Sequence, residues 1–152
     1  MAKFFLERST VLNTNLDEAW DFFSSPENLD RLTPNNMGFH ILTPRPLPRM
    51  FEGQIIEYKV KPLLNLPIYW KTEITEVQPK VHFIDNQVKG PYKQWLHKHT
   101  FEKAGDKVIM DDHVTYELPL GFLGSVAHSL YVKNRLTEIF DFRNKVVNEI
   151  FA

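Results

Sequence analysis

A chain of 152 residues without cysteine excludes a disulfide framework, a thiolate nucleophile and any Cys-based zinc or iron–sulfur site. Its 18 basic and 19 acidic side chains leave a formal net charge of −1, far from the basic footprint of a dedicated nucleic-acid binder. The length fits one domain spanning 1–152, and a mean hydropathy of −0.32 with no apolar run near the roughly 18 residues of a membrane span excludes a transmembrane helix.

The chain turns charged at Glu7 and Arg8 before a signal-peptide core forms, so a cytoplasmic protein is expected. Aromatic residues make up 13% of it, including 12 Phe, which calls for a large apolar interior or a ring-lined pocket. Residues 3–12 alternate Phe, Val and Thr with polar positions and predict a first strand. Asn15 offers a helix N-cap with Glu18 as its capping-box partner, and Ser25-Pro26 repeats the signal, so two short helices are predicted over 16–24 and 26–32. From Gly38 to Leu118 the period becomes two, interrupted by proline and glycine turns. That pattern predicts strands at about 38–43, 53–61, 67–78, 81–89, 92–103 and 107–118. From Ser125 onward the pattern is helical, with Val126, Leu130, Leu136, Ile139, Phe140, Val147 and Ile150 on one stripe; such a helix spans roughly 40 Å. This order gives an α+β domain in which a curved seven-stranded antiparallel sheet wraps a long C-terminal helix, with two short helices after strand 1. Bulky rings on the concave face can then hold sheet and helix apart around a cavity.

Hairpin turns set the register. A two-residue turn at Gly105-Asp106 pairs Ala104 with Lys107 and places His99 opposite Asp112, His97 opposite Val114 and Trp95 opposite Tyr116. Both strands then put their apolar residues on one face, which supports the assignment. A three-residue turn at Gly90-Pro91-Tyr92 pairs His97 with Asp85 and His99 with Phe83. The candidate site is therefore Asp85, His97, His99 and Asp112 within a wall of Trp70, Phe83, Trp95, Phe101 and Tyr116. Tyr58 joins on the same face, and Phe140 and Arg143 join from the last helix. Buried charges of this kind must pair, hydrate or meet a ligand. Structural His–Asp pairing across the sheet, ligand contact and acid–base catalysis are the competing roles. His-x-His on a strand face is also a zinc-ligand spacing; no metal is expected. The loops at 62–67 and 119–124 collect Leu63, Leu64, Leu66, Leu120, Phe122 and Leu123 at one end of the sheet. They either cap the core or form an apolar mouth available for transient membrane or protein contact.

Pro26-Glu27-Asn28-Leu29, Phe83-x-Asp85-x-Gln87, Trp95-x-His97-x-His99-x-Phe101, Asp112-x-Val114-x-Tyr116 and Ile139-Phe140-Asp141-Phe142-Arg143 together resemble the SRPBCC superfamily. Its START-like, pollen-allergen-like and polyketide-cyclase-like members share a helix-grip fold, and the likeness is to the bacterial ligand-binding branch. The resemblance implies a hydrophobic cavity between sheet and C-terminal helix. Some members accompany an NAD-dependent epimerase-type domain, but this chain has no dinucleotide fingerprint and no cofactor is expected. The expected function is non-catalytic binding or carriage of a small hydrophobic molecule (lipid, isoprenoid, quinone or aromatic compound) by a monomer or weak homodimer. The alternatives are a cyclase/aromatase- or hydrolase-type enzyme using His97, His99 and Asp112, and an interaction module for a neighbouring oxidoreductase.

Overall fold

The structure, a computed structural model, describes residues 3–61, 66–119 and 126–152. Strands β1 (Phe4–Leu12), β2 (His40–Ile41), β3 (Ile55–Val60), β4 (Ile68–Gln78), β5 (His82–Lys89), β6 (Gln94–Ala104) and β7 (Lys107–Glu117) form one sheet in the order β1-β7-β6-β5-β4-β3-β2. Every adjacent pair is antiparallel. Between β1 and β2 come helix α1 (Leu16–Phe23), a 3₁₀ turn (Pro26–Asn28), helix α2 (Leu29–Leu32) and a second 3₁₀ turn (Asn35–Met37); helix α3 (Val126–Ile150) closes the chain.

The predicted hairpin register holds. Ala104 pairs with Lys107, His99 with Asp112 and Trp95 with Tyr116, while on the other flank His97 pairs with Asp85 and His99 with Phe83. Gly105 adopts φ +65° at the first turn position, a backbone state that glycine enters with no Cβ penalty. Alternation then does the rest: Trp95, His97, His99 and Phe101 on β6 and Val108, Met110, Asp112, Val114 and Tyr116 on β7 are buried on one face.

Elsewhere, local chemistry trims the expectation. The strand predicted over 38–43 contracts to two residues because Gly38 turns left-handed and the Thr43 hydroxyl takes the Glu57 N–H at 2.7 Å in place of a ladder carbonyl. Asn15 caps α1 as expected, accepting from the Glu18 N–H at 2.9 Å, but the Glu18 carboxylate receives the Thr14 hydroxyl rather than completing the box. Ser25 does not cap; its hydroxyl donates to the Asp21 carbonyl. Asn15→Ala is expected to lower stability by about 1 kcal/mol in urea denaturation, and an unchanged midpoint would show that the cap contributes nothing.

Two apolar clusters flank the middle of the concave face. One packs Trp70, Tyr92, Trp95 and Tyr116 under Val132, Leu136 and Phe140 of α3. The other packs Trp20 and Phe23 of α1 against Phe83, Phe101, Met110 and Val147. Trp20 meets the edges of Phe83 and Phe101 at 6.0 and 5.4 Å. Leu130 leaves the predicted stripe and is 53% exposed. At 100° per residue it lies about 120° around the helix from Leu136, outside an apolar face of ordinary width. No helix among the described residues is long and apolar enough to cross a membrane.

Candidate functional site

Between the two clusters, α2, the second 3₁₀ turn, strands β3 to β6 and α3 line a partly open cavity of about 170 Å³. Nine predicted residues line it: Tyr58, Trp70, Phe83, Asp85, Trp95, His97, His99, Phe140 and Arg143. The other three are placed elsewhere. Phe101 lies on the predicted face but farther along β6, against Trp20 and Phe23. Tyr116 sits behind the wall, stacked on Phe4 at 5.4 Å and edge-on to Tyr92 at 5.7 Å. Asp112 lies beneath the imidazoles and is 2% exposed.

The polar groups are tied diagonally rather than straight across the strands. His97, opposite Asp85 and Val114 in the backbone, bonds through Nε2 to Asp112 Oδ1 at 2.8 Å. His99, opposite Phe83 and Asp112, bonds through Nε2 to Asp85 Oδ2 at 2.9 Å. The two rings therefore lean toward each other and stack with centroids 3.6 Å apart, with Phe83 stacked on His99 at 4.1 Å. Arg143 reaches in from α3 with Nη2 3.5 Å from both Asp112 Oδ1 and His99 Nδ1, and its guanidinium lies over the rings of Phe23 and Phe140.

These contacts set the charge states. Burial lowers the His97 pKa to about 4, helped by neighbouring His99 and opposed by Asp112 and Asp85, so the ring is neutral at pH 7. Burial alone raises a carboxyl pKa, but in Asp112 the charge of Arg143 and the hydrogen bonds from both histidines prevail and hold the group well below the ordinary carboxylate range. Asp85 follows the same balance, lowered by the His99 hydrogen bond and the charges of His97, His99 and Arg143 against its own burial. Two carboxylates, one guanidinium and the neutral His97 ring thus face the cavity or support groups that do.

Tyr92 was not among the predicted residues, yet it lines the cavity. Gln87 holds it there: its amide donates to the Tyr92 carbonyl at 2.7 Å, and its oxygen accepts the Tyr92 N–H at 3.2 Å. Gly90 makes room, since a Cβ there would lie 2.4 Å from Gln87 Oε1. The sequence carries that signal in Gln87 and Gly90-Pro91-Tyr92. Met37, Leu32 and Phe23, also in the lining, come from segments whose docking no local pattern specifies. Three buried polar groups of the lining, Trp70 Nε1, Tyr92 Oη and Arg143 Nε, have no protein hydrogen-bond partner among the described residues. Of the predicted loop residues, Leu66 is exposed; Leu63, Leu64, Leu120, Phe122 and Leu123 lie outside the described residues.

No protein-family model matches the sequence, and no curated protein matches it. Solved structures do. A START superfamily protein from Mycobacterium smegmatis superposes with a TM-score of 0.72 at 12% identity, covering 97% of this chain and 96% of that one. Norcoclaurine synthase from Thalictrum flavum, in complex with dopamine and hydroxybenzaldehyde, gives 0.65 at 16% identity over 97% and 88%. Ginseng major latex-like protein 151 from Panax ginseng gives 0.60 at 14% identity over 91% and 95%. Carriers and catalysts can share one backbone, so the likeness speaks to architecture and leaves chemistry to the site. The chain has the helix-grip fold found in START-like and Bet v1-like SRPBCC proteins.

Proposed function

We propose that the chain binds a small hydrophobic molecule in the cavity between sheet and α3. The observation that carries this reading is the cavity itself, ringed by Tyr58, Trp70, Tyr92, Trp95 and Phe140, with Asp85, His97, His99 and Arg143 among its polar lining. Its volume of about 170 Å³ narrows the class. An apolar cavity of about 150 Å³ holds a benzene-sized guest, whereas drug-sized ligands occupy roughly 300–1,000 Å³. A single-ring aromatic compound therefore fits inside, whereas a long-tailed lipid or quinone would have to extend out of it. The unpartnered Trp70, Tyr92 and Arg143 donors favour a ring bearing an oxygen acceptor.

Native mass spectrometry and isothermal titration with phenol, benzoate and benzene test this directly. One-to-one binding of phenol or benzoate, weakened at least tenfold by Trp70→Phe, supports the proposal. Equal weak binding of all three compounds, unaffected by Trp70→Phe, overturns it. A second reading, acid–base catalysis on the bound molecule, is favoured by one feature: His97 lines the cavity while its Nε2 is held by the buried Asp112 carboxylate, an orientation suited to a general base at Nδ1. Turnover abolished by His97→Gln, with phenol binding retained, would select it.

A further inference from the structure

Asp85, His97 and His99 are the one group among the described residues whose ligand atoms converge in the manner of a metal site, all within 4.8 Å of one another. Two independent features of the geometry bear on it. The first is where the nitrogens point. One nitrogen of each ring faces Asp85 Oδ2, His99 Nε2 at 2.9 Å and His97 Nδ1 at 3.8 Å. The opposite nitrogen of each ring faces Asp112 Oδ1, His97 Nε2 at 2.8 Å and His99 Nδ1 at 3.3 Å. Tetrahedral coordination at roughly 2.0–2.1 Å separates neighbouring ligand atoms by roughly 3.3 Å, midway between the two distances on the Asp85 side.

The second is what stands behind the rings: buried Asp112 places Oδ1 against the far nitrogen of both imidazoles. A cation beside Asp85 would take His97 Nδ1, His99 Nε2 and Asp85 Oδ2 as its donors and leave the far nitrogens to Asp112. The rings are stacked 3.6 Å apart, so they must swing apart for both nitrogens to meet one ion. A carboxylate behind metal-bound histidines is the usual device for fixing their tautomer and orientation. The two carboxylates also outnumber the single guanidinium, so a positive ion is favoured on charge.

We propose that Asp85, His97 and His99 form a binding site for a divalent transition-metal ion of the zinc class, with Asp112 as the carboxylate that orients both imidazoles. Two nitrogens and one oxygen are borderline donors that suit Zn²⁺ or Co²⁺ and disfavour Mg²⁺, which demands an oxygen shell. Three protein ligands leave a coordination position for a ligand atom. The site does not depend on the cavity holding an aromatic guest.

Equilibrium dialysis of the intact chain against Zn²⁺ with excess Mg²⁺, and the visible spectrum of the Co²⁺ complex, test the proposal. The expected result is one Zn²⁺ per chain, undisturbed by Mg²⁺, with affinity reduced at least tenfold by Asp85→Asn or His97→Gln. Asp112→Asn is expected to weaken binding about 10–100-fold. The Co²⁺ spectrum of the wild-type chain reads a mixed nitrogen–oxygen ligand set even if a variant folds poorly. The exposed histidines supply the control: His40→Gln/His113→Gln is expected to bind as the wild type does. Absence of saturable one-to-one binding, binding that survives Asp85→Asn and His97→Gln, or binding lost in the exposed-histidine variant overturns the proposal. Phenol titrations on the same samples keep the two readings apart, because the cavity can retain its guest while the metal site fails.

Discussion

Asp112→Asn is expected to destabilise the fold by roughly 3–5 kcal/mol, because it removes one member of a buried charge pair and leaves the other. Asp112 is 2% exposed and meets Arg143 Nη2 at 3.5 Å and His97 Nε2 at 2.8 Å. The amide keeps the shape of the carboxylate, so the loss reports charge and proton acceptance rather than a cavity. Arg143 retains some access to water, its side chain being 13% exposed, which places the effect toward the lower end of that range. Pairing the change with Arg143→Met in a double-mutant cycle is expected to recover at least about 1 kcal/mol, the signature of direct coupling. A urea midpoint for Asp112→Asn matching the wild type would show that the cluster is hydrated and open.

Stability is expected to fall by about 3 kcal/mol as pH drops from 6.5 to 4, in chelator so that no bound ion contributes. The sign follows from proton counting. His97 has its pKa lowered from 6.5 to about 4 in the folded chain, so in this window the unfolded chain binds the proton and the folded chain does not. Protonation therefore favours unfolding as pH falls, and the stability is regained as pH rises through the unfolded value. The groups facing His97 are Asp85 from β5, His99 from β6 and Asp112 from β7, with Arg143 of α3 beyond Asp112 and Tyr58 of β3 beyond Asp85. The depressed carboxylates add a further loss that starts about a unit above their ordinary value of 3.8, as they begin to protonate in the unfolded chain, and grows below it. Thermal midpoints measured across the range check the slope, and His97→Gln is expected to flatten it. A wild-type profile level between pH 6.5 and 4 would mean that His97 is solvated.

The sheet was legible in the sequence because its determinants are local. Gly105-Asp106 fixes a turn, the turn fixes a register, and period two then assigns every side chain of β6 and β7 to a face. The same logic brought the two histidines and two aspartates together before any coordinates. What it left out has physical causes of two kinds. Period two gives a face but not a position along the strand, so Phe101 and His99 looked equivalent although one packs under α1 and the other lines the cavity. It also says nothing of how a side chain leans, so the facing pair His99–Asp112 was legible but the diagonal bonds His97–Asp112 and His99–Asp85 were not. Contributions from segments docked over long sequence distances, such as Met37, were invisible because a short apolar pattern does not reveal what covers it, whereas Leu130 was misplaced by drawing the apolar stripe of α3 too wide.

The diagonal bonds have a mechanical consequence. Sliding β6 toward its C-terminus shortens the reach from His97 to Asp112 but stretches that from His99 to Asp85; sliding it backward does the reverse. The two ties act like opposed guy ropes on a mast, resisting shear in either direction where the curved sheet is hollowed beneath. Amide protons at the centre of β6 should accordingly be the slowest in the sheet to exchange with deuterium, and the stiffness they report lets the grip stay open in the middle without creeping out of alignment.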